Sequence, residues 1–445
     1  MTEKHFLKKM AAVSVLGGTM LGVATSSMAS YQAHAPGPLL TYGKTTQHST
    51  ILSLSGNPAN GNMLLSEGEN HRMGYFSSLG VDVEIGEFVD EVDELVDLLD
   101  EDNININRAN AMKAKFEALL PQMGETARFT LGLGLNAPFM PFAVKSDFLG
   151  GGVLSLDVKA QGLFDARFLD APITVQTVGG NTTLETDSAV YVKGGSILTG
   201  SLGYSREVWK PTFVEGSTLY AGVTANVYKV SLNKQVLALT NMDDDGLSDS
   251  VRDEFDENTV DTTQVGLDLG LLWTMTSGQV GITFANINEP EFEYGDVGKG
   301  CGSITDSVRQ ANCFVAQNVF SGEINLSETA IMNAQTTVEG ALFTDNKQWV
   351  LSGAVDMNSV YDLVGRETQY ISASANYFPD SYIIPSVRFG VHKNLAGSKL
   401  TSVGFGTTLF GIMNIDLMAS LDTVEYDGTK APRYFGFNIG FEEKF

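Results

Sequence analysis

The chain has 445 residues, a formal net charge of −25 and an apolar content of 43%. Nucleic-acid phosphates would repel so acidic a chain, which excludes a general nucleic-acid-binding role and disfavours binding to anionic lipid surfaces. Glycine is frequent, at 47 residues, and proline is scarce, at 12. This composition is typical of a chain rich in long strands.

The N-terminus predicts export from the cytoplasm. Lysines precede an apolar run that ends near Ala24, and Ser27-Met28-Ala29 offers a cleavage site after small residues. We therefore expect residues 1–29 to be a signal peptide that is removed. No later stretch reaches the roughly 18 apolar residues of a membrane-spanning helix. The mature chain is then either soluble in the periplasm or a closed barrel in the outer membrane of a Gram-negative bacterium.

The C-terminal segment alternates strictly between two kinds of side chain. One face is mainly aromatic and the other is small or polar. The aromatic face carries Phe435, Phe437, Ile439, Phe441 and Phe445, and the other carries Tyr434, Gly436, Asn438, Gly440 and Glu442. A half-buried strand of a soluble sheet also alternates. However, the same pattern recurs in segments of ten or more residues, which exceeds the usual soluble strand of about five or six. Such lengths suit tilted strands in lipid.

Fourteen segments show this alternation, and the connections between them are alternately short and long. The predicted strands lie near 72–83, 134–147, 151–165, 188–206, 218–233, 263–274, 278–288, 335–344, 348–358, 368–378, 383–393, 401–410, 412–423 and 433–445. Bacterial barrels have short periplasmic turns and longer external loops. The prediction is therefore an all-β protein, in which residues 71–445 form a 14-stranded antiparallel transmembrane β-barrel surrounded by outer-membrane lipid.

One insertion, at residues 85–121, predicts helices instead of strands. Apolar residues recur there at i, i+3, i+4 and i+7 in two runs, Asn103 and Asn105 offer caps between them, and Pro121 is expected to end the second helix. The first helix is strongly acidic, which fits either a solvated face or a contact with a partner. Strand parity places this helical hairpin on the external side, where it either caps the barrel or folds into the lumen.

The segment around residues 241–253 resembles a calcium-binding loop. Oxygen ligands at positions 1, 3, 5 and 9, with Gly246 at position 6, can wrap around one ion. Position 12 is Arg252 where an EF-hand has Glu, so Asp253 would substitute. The candidate ligands are Asn241, Asp243, Asp245, Leu247 (through its carbonyl), Asp249 and Asp253. The alternative is a solvated acidic loop without an ion.

The remaining chemistry-bearing residues favour a structural role. Cys301 and Cys313 are the two cysteines, and in an oxidising compartment such a pair is expected to form a disulfide. No Gly-x-Ser-x-Gly, P-loop, zinc or Cys-x-x-Cys pattern is present in the sequence, so no enzyme activity is expected. Four charged residues are expected to face the barrel lumen, either as a pore-lining network or as paired and hydrated groups: Asp268, Asp356, Arg388 and Asp416.

Several local motifs resemble one known family. Asn57-Pro58-Ala59 before the first strand, the acidic helical hairpin, the Gly266–Gly270 segment and the Arg388–Asn394 segment are similar to the conjugal-transfer TraF branch of the FadL-like outer-membrane proteins. The similarity covers about residues 50–445. It implies that residues 30–70 plug the barrel, with Asn57, Pro58 and Ala59 inside it. It also implies that apolar ligands enter from outside and leave sideways through the wall.

Two functions follow as hypotheses. The first is passive binding and transport of small hydrophobic molecules, which predicts an apolar pocket or a gap in the wall. The alternative is a surface interaction protein in conjugation or mating-pair contact, acting through the acidic external loops, which predicts a sealed lumen. The identity of a protein partner is open at this stage.

Overall fold

The computed structural model describes residues 34–65, 68–87, 89–99, 101, 104–179, 181–211, 216–241, 255, 258–426 and 429–442. Within them, fourteen strands form one antiparallel barrel. They are β1 His71–Ile85, β2 Arg128–Asn136 with Phe142–Lys145, β3 Val153–Leu169, β4 Ala189–Trp209, β5 Thr218–Ala238, β6 Val260–Met275, β7 Gly278–Ala285, β8 Gln335–Phe343, β9 Trp349–Asp356, β10 Tyr370–Tyr377, β11 Ser386–Asn394, β12 Thr401–Leu409, β13 Met413–Ser420 and β14 Tyr434–Glu442. The signal peptide lies outside the described residues.

The barrel closes where the first strand meets the last. β1 pairs antiparallel with β14, with Leu79 opposite Ile439 and Val83 opposite Phe435. Every other neighbouring pair of strands along the chain is also antiparallel. The predicted fold class and strand number are therefore confirmed. No helix of the described chain is both long and apolar enough to cross a membrane.

Strand β2 differs from its prediction. It begins at Arg128, six residues before the predicted start at 134, and it is interrupted at residues 137–141. The two parts pair with different stretches of β1 and β3, and β1 has register irregularities between Gly74 and Leu79 at the same level. The early start was not predicted because the strand follows the preceding helix with no turn between them, so that Phe129 and Leu131 read as part of the helical segment.

Apart from β1 and the interrupted β2, the strands fall into two groups by length. Strands β3 to β6 contain 16 to 21 residues, and we call them the tall wall. Strands β7 to β14 contain 8 or 9 residues, and we call them the short wall. A tilted strand needs about 9–11 residues to cross a bilayer. The short wall therefore ends near the membrane surface, whereas the tall wall continues beyond it at the end that carries the long connections.

Apolar side chains cover the outside of the barrel at the membrane level. They alternate with inward polar residues on each strand, as strands between lipid and a filled lumen require. Exposed outward residues include Leu202, Val223, Val265, Leu271, Val280, Leu351, Phe389, Phe405, Leu417 and Phe435. A soluble β-sandwich would bury such side chains between its sheets. This belt identifies a transmembrane barrel of the outer-membrane type.

The N-terminal segment lies inside the lumen as a plug. It contains two short helices, α1 Leu39–Tyr42 and α2 Gly61–Leu64, and two 3₁₀ turns, Ile51–Ser55 and Pro58–Asn60. Most of its side chains are fully buried, polar ones included. The plug therefore fills the part of the barrel that a channel would leave open.

The acidic insertion forms two helices, α3 Val89–Leu99 and α4 Ile106–Thr126. Ile85 belongs to strand β1, and Asn105 caps α4 by accepting from the Asn107 amide at 2.9 Å. Pro121 does not end α4, which was a wrong prediction. The helix continues for five residues because Met123 packs into a buried cluster and compensates for the lost backbone hydrogen bond.

The helical hairpin neither caps the barrel nor enters the lumen. Its buried residues, such as Leu95 and Phe116, pack against Phe129, Phe164 and Phe168 of the wall. Since Arg128 and Asp165 face the lumen on the same strands, these phenylalanines point to the outside of the barrel. The hairpin Ile173–Val178 with Asn181–Thr186 joins the same cluster through Ile173 and Leu184. Protein thus covers the outer face of the tall wall above the membrane level.

The inner face of the same wall is covered by the long connection 286–334. This connection holds helix α5 Ser307–Asn318, and Phe320 and Ile324 pack on inward residues of the tall wall such as Tyr191. The predicted disulfide between Cys301 and Cys313 is confirmed. Shorter elements complete the external end: strand pairs Glu291–Glu293 with Thr329–Ile331, Val360–Tyr361 with Glu367–Thr368, and Thr423–Tyr426 with Thr429–Pro432, and the 3₁₀ turns Leu239–Asn241 and Cys301–Ser303. A further 3₁₀ turn, Asp147–Leu149, lies at the opposite end.

Candidate functional site

The candidate site is the plugged lumen, and charged wall residues hold the plug in it. Arg388 and Asp416 form a two-point ion pair, with Nε–Oδ1 and Nη2–Oδ2 distances of 3.1 and 2.9 Å. The Thr41 hydroxyl of the plug donates to the same Asp416 carboxylate at 2.6 Å. Arg388 is 1% exposed and Asp416 is fully buried. These two predicted luminal charges therefore meet each other and the plug, rather than lining an open pore.

The other two predicted luminal charges also face inward. Asp356 forms an ion pair with Lys44 of the plug at 3.0 Å and accepts from the Thr337 hydroxyl. Asp268 accepts from the Asn226 side chain and from the Asn286 amide, each at 2.7 Å. Asp356 therefore anchors the plug, whereas Asp268 belongs to a set of hydrogen-bonded polar side chains on the inner face of the wall.

Glu339 and Glu442 are further wall carboxylates that anchor the plug, and neither was predicted from the sequence. Glu339 accepts from the Thr46 hydroxyl and from Asn57 Nδ2 at 2.6 and 2.9 Å. Glu442 accepts from the Thr50 hydroxyl and from the Ile51 amide at 2.5 and 2.7 Å. Both are 4% exposed. Each of these carboxylates is the one charged residue of its strand and lies on the inward face, and this sequence feature could have identified it as a contact for the plug.

The Asn57-Pro58-Ala59 motif lies inside the lumen against strands β5, β6 and β8, and all three residues are buried. Asn57 caps the following 3₁₀ turn by accepting from the Ala59 amide at 2.9 Å. Its Nδ2 also donates to the Leu271 carbonyl. The Asn57 side chain thus forms hydrogen bonds with both the turn and the wall.

The plug backbone approaches the wall most closely at glycines. A Cβ atom at Gly222 would lie 2.2 Å from the Pro58 carbonyl oxygen, and one at Gly270 would lie 2.1 Å from Asn57 Oδ1. These two glycines are direct partners on β5 and β6. A side chain at either position would therefore displace the turn.

A cavity of about 260 Å³ lies between the plug and the external connections. Leu40, Leu54 and Pro58 of the plug contribute to one side, and Val360 and Tyr361 of the connection between β9 and β10 contribute to another. The wall adds a mixture of apolar, hydroxyl and charged side chains. The arrangement can hold one small molecule with both apolar and polar contacts.

Comparison with known proteins places the chain in a family. Residues 55–356 match the model of the family described as F plasmid transfer operon, TraF, protein. This match covers more than half of the chain. The chain belongs to this TraF family. Among curated proteins, none matches it significantly.

Several solved structures match this TraF-family chain over nearly the whole length of both chains. The toluene transporter TbuX of Ralstonia pickettii is 13% identical, with a TM-score of 0.42, and the match covers 94% of this chain and 98% of that one. The CymD monoaromatic hydrocarbon channel is 13% identical, with coverages of 93% and 97% and a TM-score of 0.40. A Pseudomonas aeruginosa FadL homologue is 10% identical, with coverages of 94% and 99% and a TM-score of 0.42.

Two of the segments that carried the family resemblance, Gly266–Gly270 and Arg388–Asn394, contact the plug in the TraF-family chain. Gly270 touches Asn57, and a Cβ at Gly390 would lie 1.7 Å from the Thr41 carbonyl oxygen. His392 contacts that same carbonyl through Nε2 at 2.9 Å. These sequence motifs therefore contain the residues through which the barrel packs against its plug.

The predicted calcium loop lies almost entirely outside the residues that the structure describes. Asp243, Asp245, Leu247, Asp249 and Asp253 lie outside the described residues, and so does the Asn241 side chain. In the part of the chain that the structure covers, no group of three or more His, Cys, Asp or Glu side chains is arranged to hold a metal ion. The calcium site stays a prediction.

A charged cluster fixes the connection 286–334 to the tall wall. Glu328 forms ion pairs with Lys193 at 2.5 Å and with Lys234 at 3.7 Å. Both ammonium groups also lie over the Tyr294 ring, at 5.0 and 5.7 Å from its centre. Burial raises the pKa of the Tyr294 hydroxyl well above its usual value, and the Glu328 carboxylate raises it further. The cluster therefore keeps a neutral phenol and charged amines together.

Proposed function

We propose that this barrel binds small, largely hydrophobic molecules at its outer end and passes them across the outer membrane without an energy source. The observation that carries the proposal is the cavity between plug and external connections, because its apolar lining is sealed below by the plug. A sealed lumen with no such cavity would have favoured a purely structural barrel.

The exit would be sideways, through the interruption of β2. At this level Ser77 and Ser78 of β1 are buried, and Ser78 Oγ accepts from the Gly37 amide of the plug at 3.1 Å. Gly37 in turn packs against Leu52. The plug therefore stands directly behind the break in the wall, and a local shift of the plug would connect the lumen with lipid.

Uptake of N-phenyl-1-naphthylamine by intact cells tests the proposal. This hydrophobic dye is excluded by an intact outer membrane and fluoresces in lipid. We expect expression of the protein to speed its entry, and Ala354→Trp, which fills the cavity wall, to remove that gain. Asp345→Trp in an exposed turn is the matched control. Equal uptake with and without the protein would refute the proposal.

The alternative, a surface interaction protein, is favoured by a separate observation. The acidic helical hairpin lies on the outside of the wall and does not reach the cavity. Its acidic residues Asp97 and Glu125 are exposed and can meet a partner, and mating-pair contact is one role for such a surface. Loss of mating with normal dye uptake after charge reversal at Glu91 and Asp97 would select this function.

A further inference from the structure

The charged groups around the cavity are not balanced, and the imbalance bears on the ligand. Of the described residues that line it, three are lysine or arginine, and each has a carboxylate partner. Lys44 pairs with Asp356, Arg128 with Asp165 and Arg366 with Asp362. The cations are thus already occupied by the protein itself.

Some of the lining carboxylates have no such partner. Glu84, Asp157 and Glu367 line the cavity, and none lies within 4 Å of a lysine, arginine or histidine nitrogen among the described residues. Arg366 and Arg128 act on Glu84 only over a longer distance. The cavity therefore offers more uncompensated negative charge than positive charge.

Asp157 is the most specific of these groups. It is 6% exposed, and its Oδ1 accepts from Asn136 Nδ2 at 2.9 Å and from the Val158 amide at 2.8 Å. Its Oδ2 is buried and has no hydrogen-bond partner in the described structure. The Ser55 hydroxyl also acts on this carboxyl as a donor, but outside the geometry of a full hydrogen bond with Oδ2. A buried carboxylate oxygen without a donor is costly unless a ligand supplies one.

The nearest protein cation does not fill this role. Lys159 acts electrostatically on Asp157, but its Nζ makes neither a hydrogen bond nor an ion pair within 4 Å in the part of the chain described, and it does not line the cavity. Lys159 therefore offsets part of the negative charge without forming an ion pair, and one Asp157 oxygen keeps no hydrogen-bond donor.

We infer that the cavity takes an amphipathic organic cation, with its ammonium group on Asp157 Oδ2 and its apolar body against the leucine and tyrosine side chains. A primary ammonium carries three donors and one charge, which fits a single open carboxylate oxygen. A neutral hydrocarbon would leave that oxygen unpaired. This inference rests on the proposed transport function and specifies its substrate class.

Three ligands of matched shape test the inference: 2-phenylethylammonium, ethylbenzene and phenylacetate. Their binding to the full-length protein in non-ionic detergent at pH 7 is measured by titration calorimetry. We expect the ammonium compound to bind about tenfold more tightly than ethylbenzene, and phenylacetate most weakly. Asp157→Asn should remove this preference. Asp345→Asn, in an exposed turn, should change nothing.

The outcomes separate this inference from the proposed function. Equal binding of the ammonium compound and ethylbenzene, or tightest binding of phenylacetate, overturns the cationic ligand but leaves a hydrophobic-molecule channel standing. Binding of none of the three overturns both. A preference that persists in Asp157→Asn overturns the role of that carboxylate. If Asp157→Asn does not fold, as judged by a gel band that no longer shifts on boiling, the order of affinities for the three ligands on the native protein still tests the inference.

Discussion

The tall wall and the short wall are built from the same alternating pattern but have different surroundings. The short wall, with strands of 8 or 9 residues, meets lipid on its outer face and the plug on its inner face. The upper part of the tall wall meets protein on both faces, the helical hairpin outside and the connection 286–334 inside. The comparison shows that an outward apolar face requires a cover but does not specify whether lipid or protein provides it.

The walls also contribute differently to the plug. Four carboxylates of the short wall, Glu339, Asp356, Asp416 and Glu442, accept hydrogen bonds from it. On the tall wall, Gly222 and Gly270 let the plug backbone pack directly against the strands. The short wall thus adds charge to a close approach of its own at Gly390, whereas these two glycines provide the close approach on the tall wall, and each contact can be disturbed separately.

The largest effect is expected in the outer cover of the tall wall. Phe116→Asp places a charge in the fully buried cluster under α4 and should destabilise the cover by about 4 kcal/mol. The membrane part should survive. Limited proteolysis should then cut the external end. The barrel should stay folded, so that its gel mobility still changes when the sample is boiled. Ala114→Asp, at an exposed position of the same helix, is the control. Loss of the barrel as well would show that the two walls are not independent.

The next effect concerns the charged side of the plug. Asp416→Asn leaves the buried Arg388 without its counter-charge and should cost about 3 kcal/mol. The measurement is the urea midpoint of barrel unfolding in detergent. Asp345→Asn, with the same chemical change in an exposed turn, should leave the midpoint in place. An unchanged midpoint for Asp416→Asn would mean that the ion pair does not hold the plug.

A smaller effect is expected on the close-packed side. Gly222→Ala forces Pro58 away from the wall and should cost about 2 kcal/mol. Gly340→Ala on the short wall is the matched control, since its Cβ would meet its nearest neighbour at 3.6 Å. The same urea titration compares the two variants. Equal midpoints would contradict the steric role of Gly222.

The smallest effect is a pH dependence in the inner cover of the tall wall. A hydrogen bond from the Ser327 hydroxyl, and a second from Lys299, hold the pKa of Asp296 below its usual value. The stability from this lowering is present above the ordinary carboxyl pKa of about 3.9 and is lost as pH falls through the lowered value.

Hydrogen exchange at the Val297 amide, which donates to the Leu326 carbonyl, reports on this contact. Its protection should decline in acid, and Asp296→Asn should abolish that dependence. Protection that declines equally in both proteins would assign the effect to another group.

The sequence predicted much of the short wall because each strand there has one periodic pattern and a short turn at one end. Phe435, Ile439 and Phe441 alternate without interruption, and the observed strand β14 follows them. The interruption of β2 was not predicted, although Pro138 and Pro141 flank Phe139 and Met140 and, because they lack a backbone N–H, signal that strand pairing stops there.

Placement of the helical hairpin could not be derived from the sequence. Phe164 and Phe168 have the same outward alternation as lipid-facing residues, so nothing local distinguishes a protein cover from a lipid one. The plug anchors were only partly found. Arg388 and Asp416 stand out as charges on inward positions, but their pairing depends on two strands and Thr41, which are far apart in the chain. Long-range pairing of this kind requires the closed barrel.

The one-sided cover of the tall wall also sets how the molecule sits among its neighbours in the membrane plane. The helical hairpin and the Ile173–Thr186 hairpin project sideways above the lipid next to β1 to β5. A neighbouring protein with bulky surface loops is kept at a distance on that flank and can approach closely along β7 to β14. Crowding in the membrane would therefore favour contacts on one preferred edge of the barrel.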